Sequence, residues 1–278
     1  MHPYIYLFGE KLQSYHVFAA MAGMTGVTLS VIYLRKEKQG AWAFFLPVLT
    51  ALAAVIGARL LNFITNPRAF LKDFRIWTFS YQKLSLMGGL IAGTAVIVLF
   101  CLLRKESFAA LADAFTVPAA FGVILLKTGC FLNGCCFGKP TDGPFGVIFP
   151  ANEGKYAFFN SMKILSAKSP VVHPTQLYEI AGALIAVGFA VLLPKALKLK
   201  KGSRAAIFAV LFSAARWIVL PLRELPYDRK MITVFYPLLY AGLIAAAAVY
   251  FAVINREGFQ LLNKRISHTF PTDQGFWS

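Results

Sequence analysis

Long apolar runs, each cut short by a few polar or basic residues, follow one another along the chain. About 20 consecutive apolar residues cross the hydrocarbon core of a bilayer as a helix. Seven stretches approach or exceed that length: 15–34, 41–66, 85–103, 108–126, 177–194, 205–222 and 231–254. The pattern predicts an all-α integral membrane protein with seven transmembrane helices, organised as one polytopic domain over 1–278. A small extracytoplasmic head segment, 128–175, separates the fourth and fifth helices. Within it KPTDGPFGVIFP is punctuated by Pro and Gly as turns are. The piece at 153–166 reads as a short, weakly amphipathic helix lying at the surface.

Composition agrees with this pattern. Hydrophobic residues make up 58% of the 278 and charged residues 14%, against about 25% charged in soluble domains. The net charge of +16 does not point to nucleic acid, because a chain this apolar has no water-facing platform for it. The basic residues read instead as topology signals and lipid anchors. Three short connections, RKEKQG (35–40), RKE (104–106) and KALKLKKGSR (195–204), carry 3, 2 and 5 of them. The longer connections 67–84, 128–175 and 221–230 carry 4, 4 and 3 at much lower density. That asymmetry places the short loops in the cytoplasm, the N-terminus outside and the C-terminus inside. The start MHPYIYLFGEKLQ lacks the basic stretch and short apolar core of a cleavable signal peptide, so none is expected.

Polar side chains within or beside the spans are costly there and mark candidate function. On this topology Arg59, Lys127, Glu179, Arg216 and Arg223 all fall in the outer half of the membrane. Tyr15 and His16 open the first span on the same side, and only Asp113 lies near the cytoplasmic boundary. Arg223 follows Arg216 by seven residues and is expected on the same helix face. Arg and Lys at such places can simply snorkel to the interface. Four cations gathered around one carboxylate also suit a phosphate, which Arg grips bidentately. At that depth the natural bearer is a phospholipid headgroup. Downstream, VVHPTQLYEIAG places Pro174 at a helix start. Gln176, Glu179 and His173 are then candidates to face the outer cavity, His173 equally a helix-entry residue.

Several separated motifs carry a resemblance. LMGGLIAG (86–93) is similar to an HGGLIG segment, and GARL (57–60) to GGRxG. LKTGCFLNGCCFGKPTDGPFGVIFP (126–150) resembles a signature of the form GRxGNFxNxExxG followed by a WGVxFP-like run. HPTQLYE (173–179) is nearly identical to HPxQLYE, and ARWIVLPLRE (215–224) resembles FRxxxExxRxPD. Together they resemble the bacterial prolipoprotein diacylglyceryl transferases over nearly the whole chain. The resemblance implies a cytoplasmic (inner) membrane enzyme without cofactor or metal. Such an enzyme moves diacylglycerol from phosphatidylglycerol to the lipobox cysteine thiol of a prolipoprotein, releasing glycerol phosphate. A monomer is expected, with no nucleic-acid partner.

Carried over by motif, the matching positions are Tyr15, Arg59, Asn133, Gly138, His173, Gln176, Tyr178, Glu179, Arg216 and Arg223. Expected catalytic residues are Tyr15, His16, His173, Glu179 and Arg216. Expected lipid-binding residues are Arg59, Lys127, Asn133, Gly138, Gln176, Tyr178 and Arg223. The chain departs from the pattern at Met87 (usually His), Lys127 (Arg), Cys130 (Asn), Cys135 (Glu) and Leu220 (Glu). The lipid-gripping half of the site is thus retained while proton-handling positions change, and His16 or His173 is the candidate replacement base. Two other readings stay open: transfer of a lipid-derived group to another acceptor, and non-catalytic lipid binding or flipping. A transporter lacks support, since no inverted repeat or pair of broken helices is present. The C-x4-C-C spacing of Cys130, Cys135 and Cys136 does not match paired zinc ligands. Packing, a disulfide on the oxidising face or a reactive thiol remain for them, and packing for Cys101.

Overall fold

The computed structural model describes residues 2, 4–7, 9–37, 40–65, 67, 84–149, 171–225 and 228–269, with side chains as far as 256. The predicted head helix at 153–166 lies outside the described residues. Among the described residues seven helices are long and apolar enough to cross a membrane, and the protein is a multi-pass all-α membrane protein. They are α1 (Ser14–Lys36), α2 (Trp42–Thr65), α3 (Leu86–Arg104), α4 (Phe108–Asn133), α5 (Thr175–Ala196), α6 (Ser203–Val219) and α7 (Tyr236–Thr269). A 3-10 turn, Leu220–Leu222, extends α6, and a π-helical turn, Met231–Phe235, leads into α7. Short two-stranded sheets form outside the spans. β1 (Tyr4–Leu7) pairs antiparallel with β2 (Glu10–Gln13), and β3 (Val147–Ile148) with β4 (Val171–Val172).

Two predicted boundaries move. α4 continues seven residues past the expected end at 126, so Lys127 lies inside the helix rather than at its mouth. The signature LKTGCFLN stays helical through Gly129, which packs against Phe18 of α1, until Gly134 takes the left-handed conformation (φ 67°) that ends helices. α6 instead stops at Val219. Pro221 lies in the 3-10 turn and Arg223 is extended (φ −79°, ψ 141°), so Arg216 and Arg223 do not share a helix face.

With lipid-like apolar residues on every side, helix association depends on close backbone approach through small residues. α2 and α3 meet through Gly57 and Gly88, where a Cβ on either glycine would collide with the other's carbonyl. α5 meets α6 with Gly182 against Ala215, and α1 meets α4 with Gly129 against Phe18. α4 contacts α1, α3, α5 and α6 and is the most buried span. At the end holding the short basic loops, Asp113 accepts hydrogen bonds from the backbone N–H of Gly202 (2.8 Å) and Ala205 (2.9 Å). It thereby caps α6, whose first N–H groups have no partner within the helix. Asn255 of α7 ties down the same turn through Lys200 N–H (3.1 Å) and Ser203 Oγ (2.9 Å). Replacing Asp113 by Ala is expected to cost about 1–2 kcal/mol, the usual loss of a cap. Thermal unfolding in detergent should show a lower midpoint, with Asp113→Asn in between; an unchanged midpoint would contradict the capping role.

Candidate active site

The far end of the bundle is built from three helix termini. On α4, Lys127, Cys130 and Asn133 are spaced three apart and share a face; all are buried. Lys127 stands six residues from the end of α4, about 9 Å inward. On α5, which starts one residue after Pro174, the spacing of Thr175, Gln176 and Glu179 places three polar side chains on the buried face of the first two turns. Arg216 sits one turn from the end of α6.

These side chains meet at a single carboxylate. Lys127 Nζ lies 2.7 Å from Glu179 Oε2, and Arg216 Nη1 donates to the same oxygen. Arg223 Nε lies 3.5 Å from Oε1. Arg216 Nη2 also donates to the Tyr240 hydroxyl (3.4 Å). Glu179 is only 2% exposed, Lys127 6% and Arg216 5%, so three cations and one anion share a nearly dry site with two positive charges in excess. Among the described residues, buried Arg216 Nε and Gln176 Oε1 have no hydrogen-bond partner. The site therefore keeps an unused donor and an unused acceptor beside its excess charge. Arg59, half-buried on α2, was expected to complete this group; the cations that reach Glu179 are Lys127, Arg216 and Arg223.

The signature loop folds over this cluster. After Gly134 the chain turns back, so Cys135 N–H bonds to Cys130 O (3.0 Å). Thr175 Oγ1 holds the Cys136 carbonyl (2.8 Å), and Gln176 Nε2 holds that of Cys135 (2.5 Å). Gly138 then runs beside both 171–173 and 222–223. Its N–H bonds to His173 O, and Lys139 N–H to Leu222 O, each at 2.8 Å. A Cβ on Gly138 would stand 2.5 Å from Leu222 O and 2.7 Å from His173 Cβ. The close approach this glycine permits is thus to protein backbone. His173 Nδ1 lies 3.3 Å from the Tyr178 hydroxyl. Tyr15 is buried against Cys130, Cys135 and Cys136, and exposed His16 presents its ring edge-on to Tyr15.

The loop also gathers three thiols: the sulfurs of Cys130, Cys135 and Cys136 lie within 4.8 Å of one another. Hydrogen bonds from Cys130 and Cys135, with Lys127 and Arg223 nearby, hold the Cys136 thiol well below the ordinary thiol range. Cys135 is pushed the other way by its hydrogen bonds to Cys130 and Cys136 and by burial. The two remaining departures, Met87 and Leu220, belong to one buried apolar cluster with Tyr236 and Tyr240, whose hydroxyl Arg216 reaches. Tyr240 and Thr175 have no place in the sequence-based expectations, where Cys136 stands only as a packing, disulfide or reactive thiol candidate. Tyr236 and Tyr240, four apart on an otherwise apolar span, were the signal available for the first.

Removing the carboxylate would leave three buried cations facing one another, and breaking a buried pair in this way costs about 3–5 kcal/mol. Glu179→Gln should therefore lower the thermal midpoint in detergent far more than Asp113→Ala; equal or smaller loss would show that Glu179 is not the counterion that holds the cluster.

The chain matches the family model for prolipoprotein diacylglyceryl transferase over residues 3–255. Similar curated proteins carry the name phosphatidylglycerol–prolipoprotein diacylglyceryl transferase. That of Parasynechococcus marenigrum (strain WH8102) is 32% identical over 187 residues, 64% of this chain and 62% of that protein. That of Caulobacter vibrioides (strain NA1000 / CB15N) is 29% identical over 225 residues, 71% of this chain and 72% of that protein. A second such transferase of Clostridium perfringens (strain 13 / Type A) is 25% identical over 225 residues, covering 79% and 82%. The chain thus spans somewhat under two thirds of the length of the cyanobacterial relative and more of the other two. The family match leaves only the two ends of the sequence outside it, and the chain belongs to the prolipoprotein diacylglyceryl transferase family.

Proposed function

We propose that the protein transfers the diacylglyceryl group of phosphatidylglycerol to prolipoproteins, the activity its relatives' names give, with the lipobox cysteine thiol as acceptor. The single observation that carries this reading is the buried surplus of two positive charges around Glu179. Ionised side chains buried within or beside membrane spans are costly, so an apolar bundle that keeps three cations on one carboxylate favours an anionic occupant. A phosphodiester brings one negative charge. When the acceptor sulfur attacks the glyceryl carbon, the carbon–oxygen bond breaks and its electron pair leaves with glycerol phosphate, which approaches two negative charges. A surplus of two matches the departing group better than the bound lipid, which is the condition for lowering a barrier rather than only binding.

In this reading Arg216, Lys127 and Arg223 grip the phosphate, with Arg59 on α2 as a further lipid contact. Glu179 fixes the three cations, and Gln176 fixes the loop. The spans form one domain in the cytoplasmic membrane, with the N-terminus and this site outside and the C-terminus inside. Met87 and Leu220 make an apolar wall unsuited to handling protons, so activation of the thiol falls to groups on the signature-loop side.

Purified protein, labelled phosphatidylglycerol and a lipobox peptide test the proposal. Thioether-linked peptide and free glycerol phosphate should appear in equal amounts, and Arg216→Gln should lower kcat/KM about a hundredfold or more. Lipid cleavage without modified peptide would redirect the reading to another acceptor. Bound but uncleaved lipid would replace it with a non-catalytic one.

A further inference from the structure

Spacing along the chain argues against a metal, but the fold places the three thiols in one small group. We propose that Cys130, Cys135 and Cys136 form a three-thiolate site for a thiophilic d10 dication of the zinc class, with its fourth position open to the acceptor cysteine. This rests on the transfer reading above and assigns how its nucleophile is made.

Four observations converge. Zinc–sulfur bonds of about 2.3 Å set tetrahedral sulfurs about 3.8 Å apart, and the three sulfurs already lie within 4.8 Å. The donor set is sulfur only, which selects soft and borderline cations over magnesium or calcium. No fourth Cys, His, Asp or Glu joins the group among the described residues; three protein ligands and one vacancy is the pattern of catalytic rather than structural zinc. Cys136 adopts φ +61°, a left-handed backbone that costs a residue with a Cβ about 1–2 kcal/mol. That conformation is pinned by Thr175 through the Cys136 carbonyl. The fold thus keeps a sulfur at a position where glycine would be unstrained.

Access and position fit as well. Cys130 and Cys135 are buried, whereas Cys136 is half-buried and gives the cluster its open side. Cys130 lies three residues beyond Lys127 on the same buried face of α4, and Gln176, buried with Glu179 on α5, holds the Cys135 carbonyl. The thiol group therefore borders the cation cluster. An acceptor thiol entering that position loses its proton to solvent, since a thiol bound to such a cation is deprotonated outright. Its sulfur then forms the bond to the glyceryl carbon as the phosphate ester bond to that carbon breaks. No oxidant or reductant is involved. A free thiol with a pKa of about 8.5 is only about 3% thiolate at pH 7, so the metal raises the reactive fraction about thirtyfold.

The test uses the full chain in detergent, stripped with a chelator under reducing conditions and titrated with Zn(II) alone. One equivalent should bind, and Cd(II) in its place should give thiolate-to-metal charge-transfer absorbance. Both signals should vanish in Cys136→Ser and Cys135→Ser and persist in Cys101→Ala. Transfer should fall about thirtyfold at pH 7 on stripping and return with Zn(II). The loaded protein should show a flat rate from pH 6 to 8, where the stripped protein's rate climbs with pH. Absence of stoichiometric Zn(II) or Cd(II) binding by the reduced wild type would overturn the site, whatever the transfer activity. Binding with transfer unchanged by stripping would overturn its role in activation. Metal binding without any transfer would uphold the site and overturn the transfer reading instead.

Discussion

The end of the bundle opposite the short basic loops depends on one carboxylate that holds three cations. Glu179 comes from the first turns of α5, Lys127 from the last turns of α4, Arg216 from the end of α6 and Arg223 from the extended segment beyond it. Four chain segments converge on a group that is almost fully dry. In such surroundings charges attract or repel far more strongly than in water. The pairing therefore fixes the relative positions of three helix ends. It also leaves a surplus that a neutral ligand cannot satisfy. Structural and functional roles of the cluster coincide, because the charges that position the helices are those that would meet a phosphate.

The departures from the family pattern divide into two separate groups in space. Met87 and Leu220 enter the apolar cluster that includes Tyr236 and Tyr240. Cys130 and Cys135 join Cys136 and Tyr15 in another. The first presents mainly hydrocarbon and the second sulfur.

The spans were legible because hydrophobic length is a property of local sequence, and each predicted span overlaps an observed helix. The polar members of the site were legible for a related reason, since charge in a spanning helix is conspicuous. What composition could not convey was how far each helix runs. No residue in LKTGCFLN stops α4, and the helix continues until Gly134 adopts its left-handed turn. That extension brings Lys127, expected at the mouth of its span, and Cys130, expected in the loop, onto one buried face. The thiol cluster was hidden for the same cause: only a reversal at Gly134 brings Cys135 back over Cys130. Arg223 reached the expected carboxylate by an unexpected path, through a broken helix end rather than a shared face. Gly138 shows the converse, a loop glycine expected to face lipid whose missing side chain makes room for His173 and the Leu222 carbonyl.

The central claim is that the buried surplus of positive charge selects a phosphodiester lipid. Native mass spectrometry of the purified protein, offered phosphatidylglycerol and diacylglycerol with identical acyl chains, addresses it without requiring turnover. Phosphatidylglycerol should be retained in preference to diacylglycerol, and Arg216→Leu should reduce that preference by about tenfold or more, the value of one charge-assisted contact. Equal retention of the two lipids by the wild-type protein would contradict the account.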